Sequence, residues 1–441
     1  MTTPDPDANM LVAEDLCRFI DASPTPYHAV REAAERLRAA GFSPLDPVEA
    51  WPAEQGGHFV ASGGAIIAWY RDDSTPSDAP LRIVGAHTDS PNLRLKARPD
   101  TGRAGWRQLG VEVYGGVLLN SWLDRDLGLS GRITVRDPAS RNGFSVRLVQ
   151  IDRPILRVPQ LAIHLDREIG ERGLQLNKQT HMVPVWGLGE PSEGDLQAFV
   201  AAEADIDPEE ILGWDLMLHD LTPSTIGGLD NEFIFAPRLD NLCSSHAAIE
   251  ALVRVSASRS GQAVVPVVTL FDHEEVGSTS ATGAAGTLLA QVLEARSVAD
   301  GGNRGQFVRS LAASVCASAD MAHATHPNYP ERHEPDHHIA LNGGPVIKIN
   351  ANQRYASDAS SVAAFQLACD RAGVPSQRYI HRTDMACGST IGPMTAAGLA
   401  IPTVDVGVAQ LSMHSIRELT GANDVSRMVD ALAAFLSPRR A

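Results

Sequence analysis

The chain has 441 residues, 44% hydrophobic and 20% charged, with a formal net charge of -16. That length exceeds what a single core usually supports, so two domains, or one domain with a large insertion, are expected. The acidic balance argues against nucleic acid or an anionic membrane surface as partner, since both demand a basic face, and no apolar run reaches the roughly 18 residues needed to span a bilayer.

The opening residues Met1 to Asp7 lack the basic start and apolar centre of a secretory signal, and cytoplasmic residence is the expectation. From Asn9 to Gly41 apolar residues recur at helical spacing, interrupted by the turn Ala22 to Tyr27. Two strand-like runs come next, Ala65 to Tyr70 and Leu81 to Ala86, and His87 stands where the second ends. Between about Leu93 and Asp230 the texture turns β-rich, with alternation in Gly110 to Gly116 and Ile133 to Arg136. Beyond it, Asn241 to Ser256 reads as helix and Ala263 to Phe271 as a buried strand. Later come strands at Pro345 to Ile349 and Thr403 to Val406, and helices at Ser357 to Ala372, Ser389 to Ala397 and Asp424 to Leu436. This alternation predicts an α/β fold with a mixed sheet sandwiched by helices, divided as 1–92, an inserted β-rich domain 93–230, and 231–441. The five cysteines are scattered and never form a C-x-x-C pair, so they read as reduced and mostly buried.

The chemistry concentrates where the strand at Val264 to Phe271 runs into Asp272-His273-Glu274-Glu275-Val276-Gly277-Ser278. Neighbouring side chains on an extended segment diverge, so one glutamate can hold a metal while the other faces the water that the metal activates. His87, Asp240, Asp320 and His414 complete the inventory for two divalent cations about 3.5–4 Å apart: a bridging carboxylate, terminal carboxylates and imidazoles. Three carboxylates against two dications leave one positive charge, which a bridging hydroxide neutralises. Asp89 is placed to accept the free ring N–H of His87, and Glu274 to act as general base. Singly, each element has a plainer reading: Asp240 as a helix N-cap, Glu274-Glu275 as a solvated turn, His414 as a packed histidine. The conjunction outweighs them. The histidines between His323 and His338 lie among prolines and turn formers that exclude the helix a separate chelating pair would need.

With A-H-T-D-S-P at Ala86 to Pro91, P-R-L-D-N at Pro237 to Asn241, D-H-E-E-V-G-S at Asp272 to Ser278, D-M-A-H-A-T-H-P-N-Y at Asp320 to Tyr329, G-P-V-I-K-I-N at Gly344 to Asn350 and M-H-S-I-R-E at Met413 to Glu418, the chain resembles the aspartyl aminopeptidase family of cocatalytic zinc metallopeptidases. The resemblance implies two Zn2+ per subunit, with Co2+ or Mn2+ as substitutes. It implies that His87, Asp240 and Asp320 hold one ion, and Asp240, Glu275 and His414 the other. It implies Glu274 as base, Asp89 supporting His87, and hydrolysis of N-terminal Asp or Glu from peptides by a two-zinc-activated hydroxide. It further implies that the insert is a dimerisation domain, that the chains assemble as a tetrahedral homododecamer, and that His164 of A-I-H-L reaches a neighbour's active site. Lys348 would hold the acidic side chain of the substrate, with Tyr355 nearby, which answers locally the difficulty an acidic substrate meets in so acidic a protein. Ala340 to Gly344 departs from the family's basic pair at that point, making the pocket rim less positive. The rival readings are a two-zinc amidohydrolase or deacylase, and a non-catalytic assembly shell, which would have no use for Glu274.

Overall fold

The structure is a computed structural model describing residues 6–53, 55–72, 75–258 and 263–438. Residues 1–5, part of the stretch read for an export signal, lie outside them. Two compact units divide the chain: Met1–Asp89, Ser224–Met413 and Glu418–Ala441 form the first, and Ser90–Pro223 with His414–Arg417 the second.

The first unit is built on a nine-stranded mixed sheet. Its strand order is Ser43–Pro44, Gly56–Ser62, Ala65–Arg71, Val265–Phe271, Leu81–His87, Val315–Ala319, Thr403–Gly407, Val346–Ile349 and Gln377–Ile380. The four strands from Val265–Phe271 to Thr403–Gly407 run parallel. Every residue of Val265–Phe271 is buried, as a run apolar but for Thr269 requires when helices cover both faces. Alternate residues feed two cores. Val268, Leu270, Val84 and Ala86 pack with the helices Pro6–Asp21, Pro26–Ala39, Leu239–Ala257 and Ala422–Leu436. Val265, Val267, Leu81 and Ile83 pack instead with Leu288–Ala299, Arg304–Ala312 and Ile391–Leu399. The expected fold class, a mixed sheet between helical layers, is therefore the one observed.

The break between the first two helices comes from local chemistry: Thr25 is extended (φ -143°), accepts from His28 N–H at 3.4 Å, and is followed by Pro26 at the first helical position. A smaller five-stranded sheet joins Thr225–Gly227, Phe233–Ala236, Glu418–Gly421, Ala409–Leu411 and Ala322–His323.

The second unit holds a six-stranded antiparallel sheet ordered Phe144–Leu156, Leu127–Arg136, Ile211–Asp220, Asn92–Arg103, Trp106–Tyr114, Val185–Leu188. It has its own core, including Leu93, Leu109, Leu129, Ile133 and Leu216. Among the described residues no helix is long and apolar enough to cross a membrane.

Candidate active site

Three adjacent parallel strands deliver the chemistry at their carboxyl ends, the edge of an open α/β sheet where ligands bind. His87 closes Leu81–His87, Asp320 comes directly after Val315–Ala319, and Glu274 and Glu275 come just after Val265–Phe271. Asp240 lies in the first turn of Leu239–Ala257, where its ψ of 102° and the angles of its neighbour Asn241 mark a kink.

His87 is the hub. Its Nε2 lies 3.4 Å from Asp240 Oδ1 and 3.6 Å from Asp320 Oδ1, and ligand atoms of His87, Asp240 and Glu275 all fall within 4.8 Å of one another. Its Nδ1 sits 3.0 Å from the main-chain carbonyl of Asp89 and 3.4 Å from the carboxylate. The ring is thus held by both the main-chain carbonyl and the carboxylate of Asp89, and the carboxylate also accepts the N–H groups of both Glu274 and Glu275 at 3.1 Å.

That clamp corrects the expectation of an extended Glu274-Glu275 segment. Glu274–Val276 is a single 3-10 turn, entered through left-handed His273 (φ 64°) and left through left-handed Gly277 (φ 97°). The turn, with its amides tied to Asp89, sets the directions of the two carboxylates; strand alternation does not. A non-glycine residue held at positive φ is costly, and such positions cluster where surrounding contacts enforce a functional geometry.

Burial pushes the Glu274 carboxyl up to about 8; His87 opposes that, while Asp320, Asp240 and Asp89 add to it. Burial alone would lower His87, yet Asp240, Asp320, Asp89 and Glu274 hold it well above its ordinary value. A proton or a metal ion answers the same crowd of carboxylates.

Lys348 is buried, with Nζ 3.3 Å from Asp320 Oδ2, 3.1 Å from the Met321 carbonyl and 5.1 Å from the centroid of the Tyr355 ring. The structure therefore places the expected substrate cation against an expected metal ligand. His164 is exposed, in the turn 163–165 of the second unit. His414 also belongs to the second unit, where its Nδ1 lies 3.0 Å from the Gly116 carbonyl.

The supporting side chains escaped the sequence reading. Glu418 accepts from Asp240 N–H at 3.0 Å, Asn241 donates to the Ala319 carbonyl at 2.8 Å, and Ser245 donates to the His87 carbonyl at 2.8 Å. Asp405, fully buried, accepts from Ser318, Thr390 and the N–H of Ala356 at 2.6–2.7 Å. Only the place of Asn241 in P-R-L-D-N, and of Glu418 in M-H-S-I-R-E, offered a hint.

The profile of the aminopeptidase I zinc metalloprotease (M18) family matches residues 19–436. The chain belongs to the M18 family. It is a zinc metalloaminopeptidase. It is 54% identical over 426 residues to the probable M18 family aminopeptidase 2 of Streptomyces coelicolor, covering 96% of this chain and 97% of that one. Its fold matches the cryo-EM structure of the Ape4 and Nbr1 complex with TM-score 0.93 and 38% identity, over 99% of this chain and 87% of that one. The S. cerevesiae mApe1 dodecamer matches with TM-score 0.84 and 29% identity, over 97% and 96%.

The residues present suit the zinc that this family implies. Asp320 Oδ1 is buried and accepts no hydrogen bond among the described residues. With its Nδ1 hydrogen donated to Asp89, a neutral His87 turns its Nε2 lone pair toward the same carboxylates, the tautomer a metal requires.

Proposed function

We propose that this M18 aminopeptidase removes N-terminal aspartate and glutamate from peptides in the cytoplasm, with two zinc ions per subunit held by His87, Asp240, Asp320, Glu275 and His414. The observation that carries the acidic preference is the buried Lys348 ammonium beside Asp320 and Tyr355. Asp320 and Met321 take two of its three protons, which leaves one for a substrate carboxylate. In low-dielectric surroundings that contact outweighs the distant, screened repulsion of an acidic protein.

Zinc bound there supplies Lewis acidity toward the scissile carbonyl and lowers the pKa of water. Glu274 accepts the proton of the attacking water on its carboxylate and returns it to the leaving nitrogen. Asp89 keeps Glu274 and Glu275 apart in direction through their amides, and through its carbonyl keeps the His87 ring in place. His164, exposed in the second unit, is proposed to reach the active site of a neighbouring chain within a tetrahedral dodecamer that the insert helps to build; the S. cerevesiae mApe1 dodecamer supports that assembly. A donor to the developing oxyanion is worth about 3 kcal/mol.

Rates on a panel of aminoacyl amides, with and without chelator, test the reading. Lys348→Met should cut turnover of Asp and Glu substrates far more than that of Ala or Leu substrates, and a uniform fall would assign Lys348 a purely structural role. For the neighbour's histidine, His164→Ala and Glu274→Gln chains, each weak alone, should regain activity when dissociated and reassembled together. Verified co-assembly without recovery sinks that arrangement.

A further inference from the structure

We infer that the second unit is the positioning element for the zinc ligand His414, and that Gly116, through its carbonyl and its lack of a side chain, sets the direction in which that imidazole offers its metal-binding nitrogen. His414 enters here as the ligand of the second ion proposed above, and on that reading the inserted residues gain a task besides assembly.

Ser90–Pro223 makes up nearly all of the second unit, yet His414–Arg417 belongs to it as well, although the whole of Ser224–Met413 intervenes in the chain. On either side of those four residues the chain is in the first unit. Met413 packs against that unit's core, and Glu418 accepts the N–H of Asp240, another proposed ligand, at 3.0 Å. A ligand that stands just before the anchor of Asp240 is therefore held by the other unit.

The bonds that hold it are made inside the second unit. Leu118 N–H donates to the His414 carbonyl at 3.1 Å and Ile416 N–H to Ser121 Oγ at 3.0 Å, while Arg417 donates to the carbonyls of Thr222 and Pro223 at 2.7 and 3.0 Å. Ile416 is buried in the unit's core. These contacts matter because the backbone is strained: φ is 68° at His414 and 60° at Ser412. Left-handed angles at residues other than glycine persist where the surroundings enforce them.

One bond aims the ring. His414 Nδ1 lies 3.0 Å from the Gly116 carbonyl, and a carbonyl only accepts, so the hydrogen sits on Nδ1. A neutral ring then carries its lone pair on Nε2, the form in which histidine takes a metal, and the carbonyl fixes both tautomer and ring orientation. The size of Gly116 matters too. A Cβ there would stand 3.0 Å from Nδ1 and 3.4 Å from Cε1, so a side chain would press the ring away. Gly115, at φ 73°, makes the turn that ends Trp106–Tyr114, and Gly116 lets the imidazole close on the carbonyl.

The test is competition for Zn2+ between the full-length chain and a chromogenic chelator, which counts the ions bound per chain and resolves their affinities. Gly116→Ala keeps the carbonyl but displaces the ring, so one of the two ions should bind about 10–100-fold more weakly, as when a ligand loses its outer partner, and the other should keep its affinity. Ser121→Ala, which removes only the acceptor of Ile416 N–H, should weaken the same ion about two- to tenfold, the worth of one hydrogen bond. His414→Ala tests the reading beneath. If His414→Ala binds as many ions as wild type and as tightly, His414 is no ligand and both the reading and its positioning fall. If it loses one ion while Gly116→Ala binds both as wild type does, His414 stays a ligand and the positioning by Gly116 is wrong. Should Gly116→Ala instead weaken both ions alike and lower the melting temperature of the zinc-free chain, the turn only supports the fold of its unit, and the inference fails.

Discussion

Among the described residues two groups bring Asp, His and Glu ligand atoms within 4.8 Å of one another, both in the first unit: His87, Asp240 and Glu275, and Asp15, His246 and Glu250. Their residue types are the same and their chemistry is not. At the second group a guanidinium occupies the place of a cation: Arg36 binds Asp15 at 2.5 and 3.2 Å and Glu250 at 3.2 Å, and its guanidinium lies 5.1 Å from the centroid of Phe19. His246 Nε2 meets Asp15 at 2.8 Å. These contacts join the helices Pro6–Asp21, Pro26–Ala39 and Leu239–Ala257. At the first group the nearby cation, Lys348, reaches Asp320 at its edge, and the backbone around the cluster adopts left-handed angles at Arg238 and His273. A carboxylate–histidine cluster that carries its own arginine is a helix clamp. One held by strained turns and buried amides is arranged for a cation from outside.

The largest test breaks the catalytic member of the pair. Glu274→Gln should lower kcat by about 10²–10⁴-fold while zinc content, measured by elemental analysis after dialysis, stays near wild type. Glu275→Ala should lose zinc. Equal zinc loss in the two variants would reverse the assignment of base and ligand. Asp15→Asn, at the other cluster, should leave both zinc content and the acidic-to-neutral substrate ratio where they were.

The next test breaks the clamp. Arg36→Met leaves Asp15 and Glu250 close together without their shared cation. Removing one partner of a fully buried ion pair costs about 3–5 kcal/mol; with 18–26% of these side chains exposed, about 2–3 kcal/mol is expected in chemical denaturation. If Arg36→Met changes zinc content and leaves stability alone, the contrast between the clusters is wrong.

How much of this could be read beforehand depends on the range of the interaction that decides it. Val265–Phe271 announced itself because a strand covered on both faces is nearly all apolar, Thr269 apart, and Thr25-Pro26 because capping is local. His87, Asp240 and Glu275 could be grouped before any coordinates because each stands in a short motif at the end of an element. The turn at Glu274–Val276 could not, since its shape depends on the carboxylate of Asp89, far away in sequence. The same is true of Asn241 and Ser245, ordinary residues of a helix start until sheet register puts the carbonyls of Ala319 and His87 beside them. Lys348 stands against Asp320 for a reason of the same kind: their strands flank Thr403–Gly407 in one sheet, and no local pattern conveys that order.

The smallest expected effect is a difference in acid sensitivity between the clusters. Burial raises the pKa of Asp15, but hydrogen bonds and charge from His246 and Arg36 dominate and hold its carboxyl well below the usual range. A carboxyl whose folded-state pKa is depressed binds fewer protons folded than unfolded near its ordinary pKa. Its contribution to stability is therefore complete above about pH 4–5, and is lost as pH falls through the unfolded value of about 3.9 toward the folded one. The clamp should accordingly weaken only in strong acid. Asp15→Asn, which cannot titrate, should lower stability at pH 7 and flatten its decline below pH 4, so that the wild-type and variant curves converge as pH falls. Urea melts at half-unit steps from pH 7 to pH 3 would show the convergence. Parallel curves over that whole range would mean that Asp15 is not the group Arg36 holds ionised, and the comparison between the two clusters would lose its electrostatic basis.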